Sequence, residues 1–140
     1  PLVAVHSSLH SRFLLGDTEY DESQRQEIPP ARWPLVQTDP RSGRKILYVG
    51  IHIEAVEGMT APEGRMLVMD LMEHATQREF VYQHHWRTGD LVVWDNTATL
   101  HRGRWYDFSE RRELRRATTE EVTRSPEAEK MLAEAVAQAV

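Results

Sequence analysis

The chain has 140 residues, a length that fits one domain of ordinary size with a core of its own. Its formal net charge of −5, from 22 acidic and 17 basic residues, argues against a nucleic-acid surface. There are no cysteines, which excludes disulfides and thiolate metal sites, and no apolar run approaches the roughly 18 residues of a membrane span. We therefore expect a globular, cytoplasmic protein that binds neither nucleic acid nor membrane.

The first third of the chain shows little regular pattern. Residues 1–14 are mildly apolar and fit a strand or a helix. Residues 16–44 are polar and interrupted by prolines and glycines, which predicts a long irregular segment with a turn at 39–43. Apolar and aromatic residues at 45–49 then predict a strand.

Capping signals predict two helices. Thr60 and Glu63 have the spacing of a capping box, and the helix that they open is expected to run to about Thr76. Its predicted apolar face consists of Leu67, Leu71 and His74 or Ala75, and Met66, Met69 and Met72 widen this face. Ser125 as N-cap and Pro126 at the first helical position predict a C-terminal helix at about 126–140. The apolar stripe of that helix, expected to pack on the body or on another subunit, consists of Met131, Leu132, Ala135 and Val136.

Four short strands are predicted between these helices, at 79–85, 90–95, 99–104 and 112–118. Turn signals at 88–90 and 95–97 separate them. Closely spaced short strands are typical of sandwiches and barrels. The expected fold class is therefore mainly β with flanking helices.

The last two of these strands contain residues with chemical meaning. His101 lies on one strand, and four arginines lie on the next. Since side chains alternate along a strand, Arg112, Leu114 and Arg116 share one face, and an inward Leu114 would turn both guanidiniums inward. Arginine is suited to a two-point grip on a carboxylate. The pattern predicts an anion pocket near a histidine that can bind metal, and a solvated edge strand with a structural histidine is the alternative.

The run 89–96, followed by His101, Arg112 and Arg116, resembles the C-terminal signature of the taurine dioxygenase and dichlorophenoxyacetate dioxygenase family. In that family a Trp-Asp-Asn turn precedes the distal iron-binding histidine, and an arginine eleven residues after this histidine holds the far carboxylate of 2-oxoglutarate. The resemblance implies that His101 is a ligand of iron(II) and that Arg112 anchors 2-oxoglutarate. It also implies that Arg116 lines the same anion pocket, and that Trp94 lies close to the iron.

The resemblance also implies a fold and an activity. Residues 1–140 would form the C-terminal half of a double-stranded β-helix, the cupin-like jelly roll, within one dioxygenase domain. The activity would be hydroxylation of a small anionic substrate, with release of succinate and carbon dioxide. Residues 33–48 and 73–86 look more like the aryloxyalkanoate-degrading branch than the taurine branch. Half a jelly roll has open sheet edges, which a homo-oligomer or a further segment would cover.

The sequence departs from the family pattern at the iron site. The family's other two ligands form a His-x-Asp pair, which is absent from these residues. Because the chain begins at Pro1, we expect this pair in an N-terminal portion outside the 140 residues. Two alternatives stay open: a catalytically inactive fragment or β-rich binding module of the same fold, and a cupin-like metal enzyme that uses His52, Glu54 and His101.

Overall fold

The computed structural model describes residues 1–17, 19, 21–119 and 124–138. The strands are β1 (Val3–His6), β2 (Ala31–Pro34), β3 (Val36–Thr38), β4 (Lys45–Leu47) and β5 (Ile53–Val56). The helices are α1 (Ser8–Leu14), α2 (Glu22–Glu27), α3 (Ala61–Ala75) and α4 (Pro126–Gln138), with a 3₁₀ turn at Arg78–Phe80. In the part of the chain described here, no helix is both long and apolar enough to cross a bilayer.

Two small antiparallel sheets are joined through one buried residue. The first has the order β2-β1-β5, with β1 in the centre, and the second is the β3-β4 pair. Leu35, between β2 and β3, donates its N–H to the carbonyl of Leu2 at 2.9 Å and accepts the N–H of Tyr48 at 2.8 Å. The hydrogen bonds of Leu35 therefore connect the chain that flanks β1 with the chain that follows β4.

The core lies between the first sheet and α3. It consists of Ala4, Leu35, Val49, Ile53, Val56 and Val68. α3 approaches β5 closely at Gly64, where a Cβ would lie 3.4 Å from the backbone nitrogen of Val56. Glycine at this position allows the helix to cover Ile53 and Val56, which are both 2% exposed.

The capping prediction for α3 is confirmed. The Glu63 carboxylate accepts the backbone N–H of Thr60 at 2.9 Å and its hydroxyl at 2.6 Å. Leu67, Leu71 and Met72 pack against the core as predicted. The inclusion of Met66 and Met69 in the apolar face was wrong, because both are more than half exposed. The buried stripe is centred on Val68 instead, where the helix faces β5.

The C-terminal helix is confirmed from Pro126 to Gln138, and residues 139–140 lie outside the described part. Ser125 caps it by accepting the N–H of Ala128 at 3.2 Å, and its hydroxyl donates to the buried Gln37 side chain at 2.8 Å. The predicted stripe is half-buried at Met131 and Leu132, whereas the side chains of Ala135 and Val136 are outside the description.

The prediction of irregular structure over residues 16–44 was wrong. This segment contains α2, β2 and β3. Asp21 and Gln24 form a capping box that starts α2, and β2 is held by its ladder with β1 rather than by its own sequence pattern. The turn at 39–43 is confirmed, because Gly43 has a φ of 70° and donates its N–H to Asp39 at 2.8 Å.

The four strands predicted at 79–85, 90–95, 99–104 and 112–118 are not found. Residues 78–80 form the 3₁₀ turn, and no strand is assigned over 81–119. A strand requires a ladder partner, and none of the described strands pairs with this segment. Most of its side chains are correspondingly exposed. We name residues 81–119 the open segment.

Replacement of Ile53 by alanine tests the position of the core. We expect Ile53→Ala to lower the free energy of unfolding by about 2–5 kcal/mol, since it removes a buried side chain beneath α3. Urea denaturation monitored by circular dichroism measures this loss. Ile51→Ala is the matched control, because Ile51 is 49% exposed and its truncation should cost less than about 0.5 kcal/mol. Equal losses in the two variants would contradict the assigned core.

Candidate active site

A hydrogen-bonded turn in the open segment precedes His101. The Asp95 carboxylate accepts the N–H of Thr97 at 2.8 Å, and the Asp95 carbonyl accepts the N–H of Thr99 at 3.0 Å. The Trp94 indole donates to the Asn96 side chain at 2.7 Å. The turn brings the ring of Trp94 to 5.1 Å from the ring of His101, measured between centroids. His101 is thus placed beside the tryptophan.

Arg112 lies on the surface. Its guanidinium carbon lies 4.6 Å from the centroid of the Tyr106 ring, a cation–π contact that leaves the guanidinium hydrogens available. Among the described residues no carboxylate forms an ion pair with Arg112 or Arg116. Both guanidiniums are exposed and can bind an anion from solution.

The predicted inward face of Arg112, Leu114 and Arg116 is not formed. Leu114 is 50% exposed, and both arginines are exposed as well. Side chains of a strand have an inward face only where the strand lies in a sheet with a buried side, and the open segment has no ladder partner among the described residues. The neighbouring Arg111 differs from Arg112 and Arg116, since it forms an ion pair with Glu113 at 2.9 Å.

The described residues do not complete an iron site. No group of three histidine, aspartate or glutamate side chains among them comes close enough to hold a metal. The hypothesis of a metal enzyme using His52, Glu54 and His101 was therefore wrong. His52 is half-buried against Gly50, where a Cβ would lie only 2.4 Å from the imidazole, whereas Glu54 is exposed. His101 supplies one candidate ligand, and the described residues place no further ligands beside it.

A buried histidine pair was missed by sequence reasoning. His6 is 8% exposed, and its ring centroid lies 4.8 Å from that of His52 and 5.2 Å from that of Tyr48. Among the residues that the structure describes, neither ring nitrogen of His6 has a hydrogen-bond partner. The available signal was the alternation of β1, which buries Ala4 and His6 and leaves Val3 and Val5 half-buried.

Burial keeps this pair uncharged. Removal from water, followed by repulsion from His52, lowers the pKa of His6 from 6.5 to about 4. Burial also lowers the pKa of His52. Both imidazoles are therefore neutral at pH 7 in the folded state.

The chain belongs to the family described as "Taurine catabolism dioxygenase TauD, TfdA family", whose model matches residues 1–118. It is 64% identical over 118 residues to the alpha-ketoglutarate-dependent 2,4-dichlorophenoxyacetate dioxygenase of Cupriavidus pinatubonensis, a match that covers 84% of this chain and 41% of the relative. It is 35% identical over 117 residues to the (S)-phenoxypropionate/alpha-ketoglutarate-dioxygenase of Sphingobium herbicidovorans, covering 79% of this chain and 41% of that protein. The chain thus spans about two fifths of the length of these curated relatives.

The fold is similar to that of a solved relative. The crystal structure of AAD-2 in complex with Mn(II) and N-oxalylglycine matches with a TM-score of 0.84 and 48% sequence identity. The match covers 89% of this chain and 49% of that one. Coverage of this extent must include most of the open segment, so its path follows the solved fold even where it has no ladder partner here.

The buried histidine pair predicts a dependence of stability on pH. The pKa of His6 in the folded state lies below its unfolded value, so the folded state binds fewer protons. The contribution of neutral His6 to the free energy of unfolding is fully present above pH 6.5. It is lost as the pH falls toward 4, by about 3 kcal/mol in total. Urea unfolding at intervals across this range measures the slope.

His6→Leu should flatten that slope, because it removes the buried group whose pKa shifts most. His85→Leu is the control, since His85 is exposed. An unchanged slope in His6→Leu would contradict the assigned burial of His6.

Proposed function

We propose that this chain is part of an iron(II)- and 2-oxoglutarate-dependent dioxygenase that hydroxylates a small anionic substrate of the aryloxyalkanoate class. His101 serves as one iron ligand, and Arg112, with Arg116 beside it, binds the far carboxylate of 2-oxoglutarate. The chain forms the C-terminal half of a jelly roll. The segment that carries the remaining iron ligands completes both the sheets and the site.

The family match carries this proposal. It runs through residues 1–118 and so includes His101, Arg112 and Arg116 together with the turn before them. The two curated relatives described above are named for 2,4-dichlorophenoxyacetate and phenoxypropionate. Both compounds are aryloxyalkanoates with one carboxylate. The same match makes a taurine-type substrate the weaker candidate.

The geometry of Arg112 supports its role. An anion site needs a guanidinium that is not already neutralised, and Arg112 has no ion pair among the described residues. Its contact with the ring of Tyr106 restricts the guanidinium while leaving its hydrogens free for a planar carboxylate. Arg111 is different, because Glu113 already occupies its guanidinium. Arg112 is thus the arginine better placed to hold 2-oxoglutarate in one orientation.

The surroundings of His101 support its role less completely. The Trp94 ring covers one side of the imidazole, and the hydrogen-bonded turn holds that ring in place. A metal site gains affinity when its ligands are held before the ion arrives. Iron(II), when bound with 2-oxoglutarate, supplies the oxidising chemistry, and the protein's part is to hold the ligands and orient the cosubstrate.

Arg112→Ala tests the anchor in a polypeptide that joins this chain to an upstream segment carrying the family's His-x-Asp pair. We expect 2-oxoglutarate turnover in the joined protein, and a rise of about 10- to 100-fold in the KM for 2-oxoglutarate in the variant, from loss of a charge-assisted two-point contact. Assays of succinate formation at varied 2-oxoglutarate measure it. Arg111→Ala is the matched control and should leave that KM within about twofold. An unchanged KM in Arg112→Ala would contradict the assignment.

An inactive fragment of the same fold is the second candidate for the chain by itself, since the described residues contain no group of three side chains that could hold a metal. We expect cobalt(II) titration of the 140-residue chain to give binding weaker than about 0.1 mM, because a single imidazole is not a preorganised site. Calorimetry measures the affinity. Micromolar binding that survives in His101→Ala would contradict the place given to His101.

A further inference from the structure

The hairpin formed by β3 and β4 contacts the turn that precedes His101. Arg41, in the loop of this hairpin, donates through Nη2 to the Asp95 carboxylate, which lies 54 residues further along the chain. Through Nε the same guanidinium donates to the Asp39 carboxylate at 3.2 Å. One arginine therefore ties the hairpin loop to the open segment.

The loop holds Arg41 in position for this contact. Asp39 has a side chain that is only 15% exposed, and it accepts the Ser42 hydroxyl at 2.5 Å and the Arg41 N–H at 3.1 Å. These bonds, the Ser42 hydroxyl first, lower the pKa of Asp39 to about 2, so it is ionised near neutrality. Asp39 is thus a fixed anion that orients the guanidinium of Arg41 toward the second carboxylate.

The hydrogen bonds of Asp95 connect Arg41 to the turn that precedes His101. One of its carboxylate oxygens accepts from Arg41, and the other accepts the N–H of Thr97 at 2.8 Å. Its carbonyl accepts both the N–H and the hydroxyl of Thr99, at 3.0 and 2.6 Å. Asp95 stands directly after Trp94, whose ring lies against His101. A displacement of Asp95 must therefore move the residues on both sides of the turn.

We propose that Arg41 is a positioning residue for His101, which it controls through Asp95 and the turn at 94–99. The proposal rests on the proposed function in that His101 is taken as a metal ligand. A lysine cannot reproduce the contact, because one ammonium lacks the planar fork that meets two carboxylates at once. Since the pair is exposed, its effect falls on the position of the turn more than on the stability of the fold.

Nuclear magnetic resonance of the 140-residue chain tests the positional part. The probes are the indole N–H of Trp94 and the imidazole of His101, assigned with Trp94→Phe and His101→Gln. In Arg41→Met both signals should shift by more than their line widths, and in Arg41→Lys they should shift partway. Arg44→Met is the matched control, because Arg44 loses the same charge from the same loop and its side chain makes no described contact with the turn. The melting temperature should change by less than about 5 °C in each variant.

Manganese(II) titration of the same samples tests the metal-binding part. Paramagnetic broadening of the His101 signal should need about 3- to 10-fold more manganese in Arg41→Met than in the unmodified chain or in Arg44→Met. Unshifted Trp94 and His101 signals in Arg41→Met would overturn the inference, whatever manganese does. Broadening that spares His101 in every variant would instead overturn the role of His101 in the proposed function, while the shifts would still decide whether Arg41 controls the turn.

Discussion

The burial of β1 between β2 and β5, beneath α3, is the interaction on which the rest of the structure depends. Ala4 on β1 is fully buried, and the close approach at Gly64 lets α3 cover it together with Ile53 and Val56. The β3-β4 hairpin is attached to this unit through the two hydrogen bonds of Leu35. α4 is attached in turn to the hairpin, where the Glu127 carboxylate accepts from Thr38 and Lys45.

This arrangement holds the open segment at both ends. α3 precedes the segment and packs on β5, and α4 follows it and packs on β3. Between these two anchors, Arg41 on the hairpin provides a third point of attachment at Asp95. The hairpin therefore has two functions in the fold, since it completes the core at one end and positions the candidate site at the other.

The open segment has the properties of strands without partners. Large apolar side chains such as Leu91 and Trp105 are more than four fifths exposed in it. The match with the solved relative includes most of the open segment. It covers 49% of the solved relative's own chain. Exposed apolar side chains and unpaired backbone are typical of surfaces that bind further strands or other protein segments. The candidate site is exposed in the same way, because its histidine and its arginines lie on the open segment.

Local signals in the sequence predicted the local structure well. The capping box at Thr60 and the caps at Ser125 and Pro126 located two helices, since capping depends on neighbouring residues only. The strands β2 and β5 were missed because four residues are too few to show a period, and their ladders with β1 determine them. The prediction of four later strands failed for the opposite reason, because their sequence pattern is present but none of the described strands pairs with them.

The candidate site followed from the family resemblance rather than from strand parity. The resemblance predicted the roles of His101 and Arg112, and the family match includes both positions. The inward turn of Arg112 and Arg116 was wrong, because a strand face is defined only against a second layer. His6 and Arg41 escaped sequence reasoning, since their importance comes from contacts with residues far along the chain.

The structure of the joined protein, with manganese(II) and N-oxalylglycine bound, tests the central claim most directly. We expect the imidazole of His101 in the coordination sphere of the metal, beside the upstream His-x-Asp pair. We also expect the guanidinium of Arg112 to hold the far carboxylate of N-oxalylglycine through two hydrogen bonds. A metal bound without His101, or a far carboxylate held by another cation with Arg112 turned to solvent, would contradict the assignment of these residues.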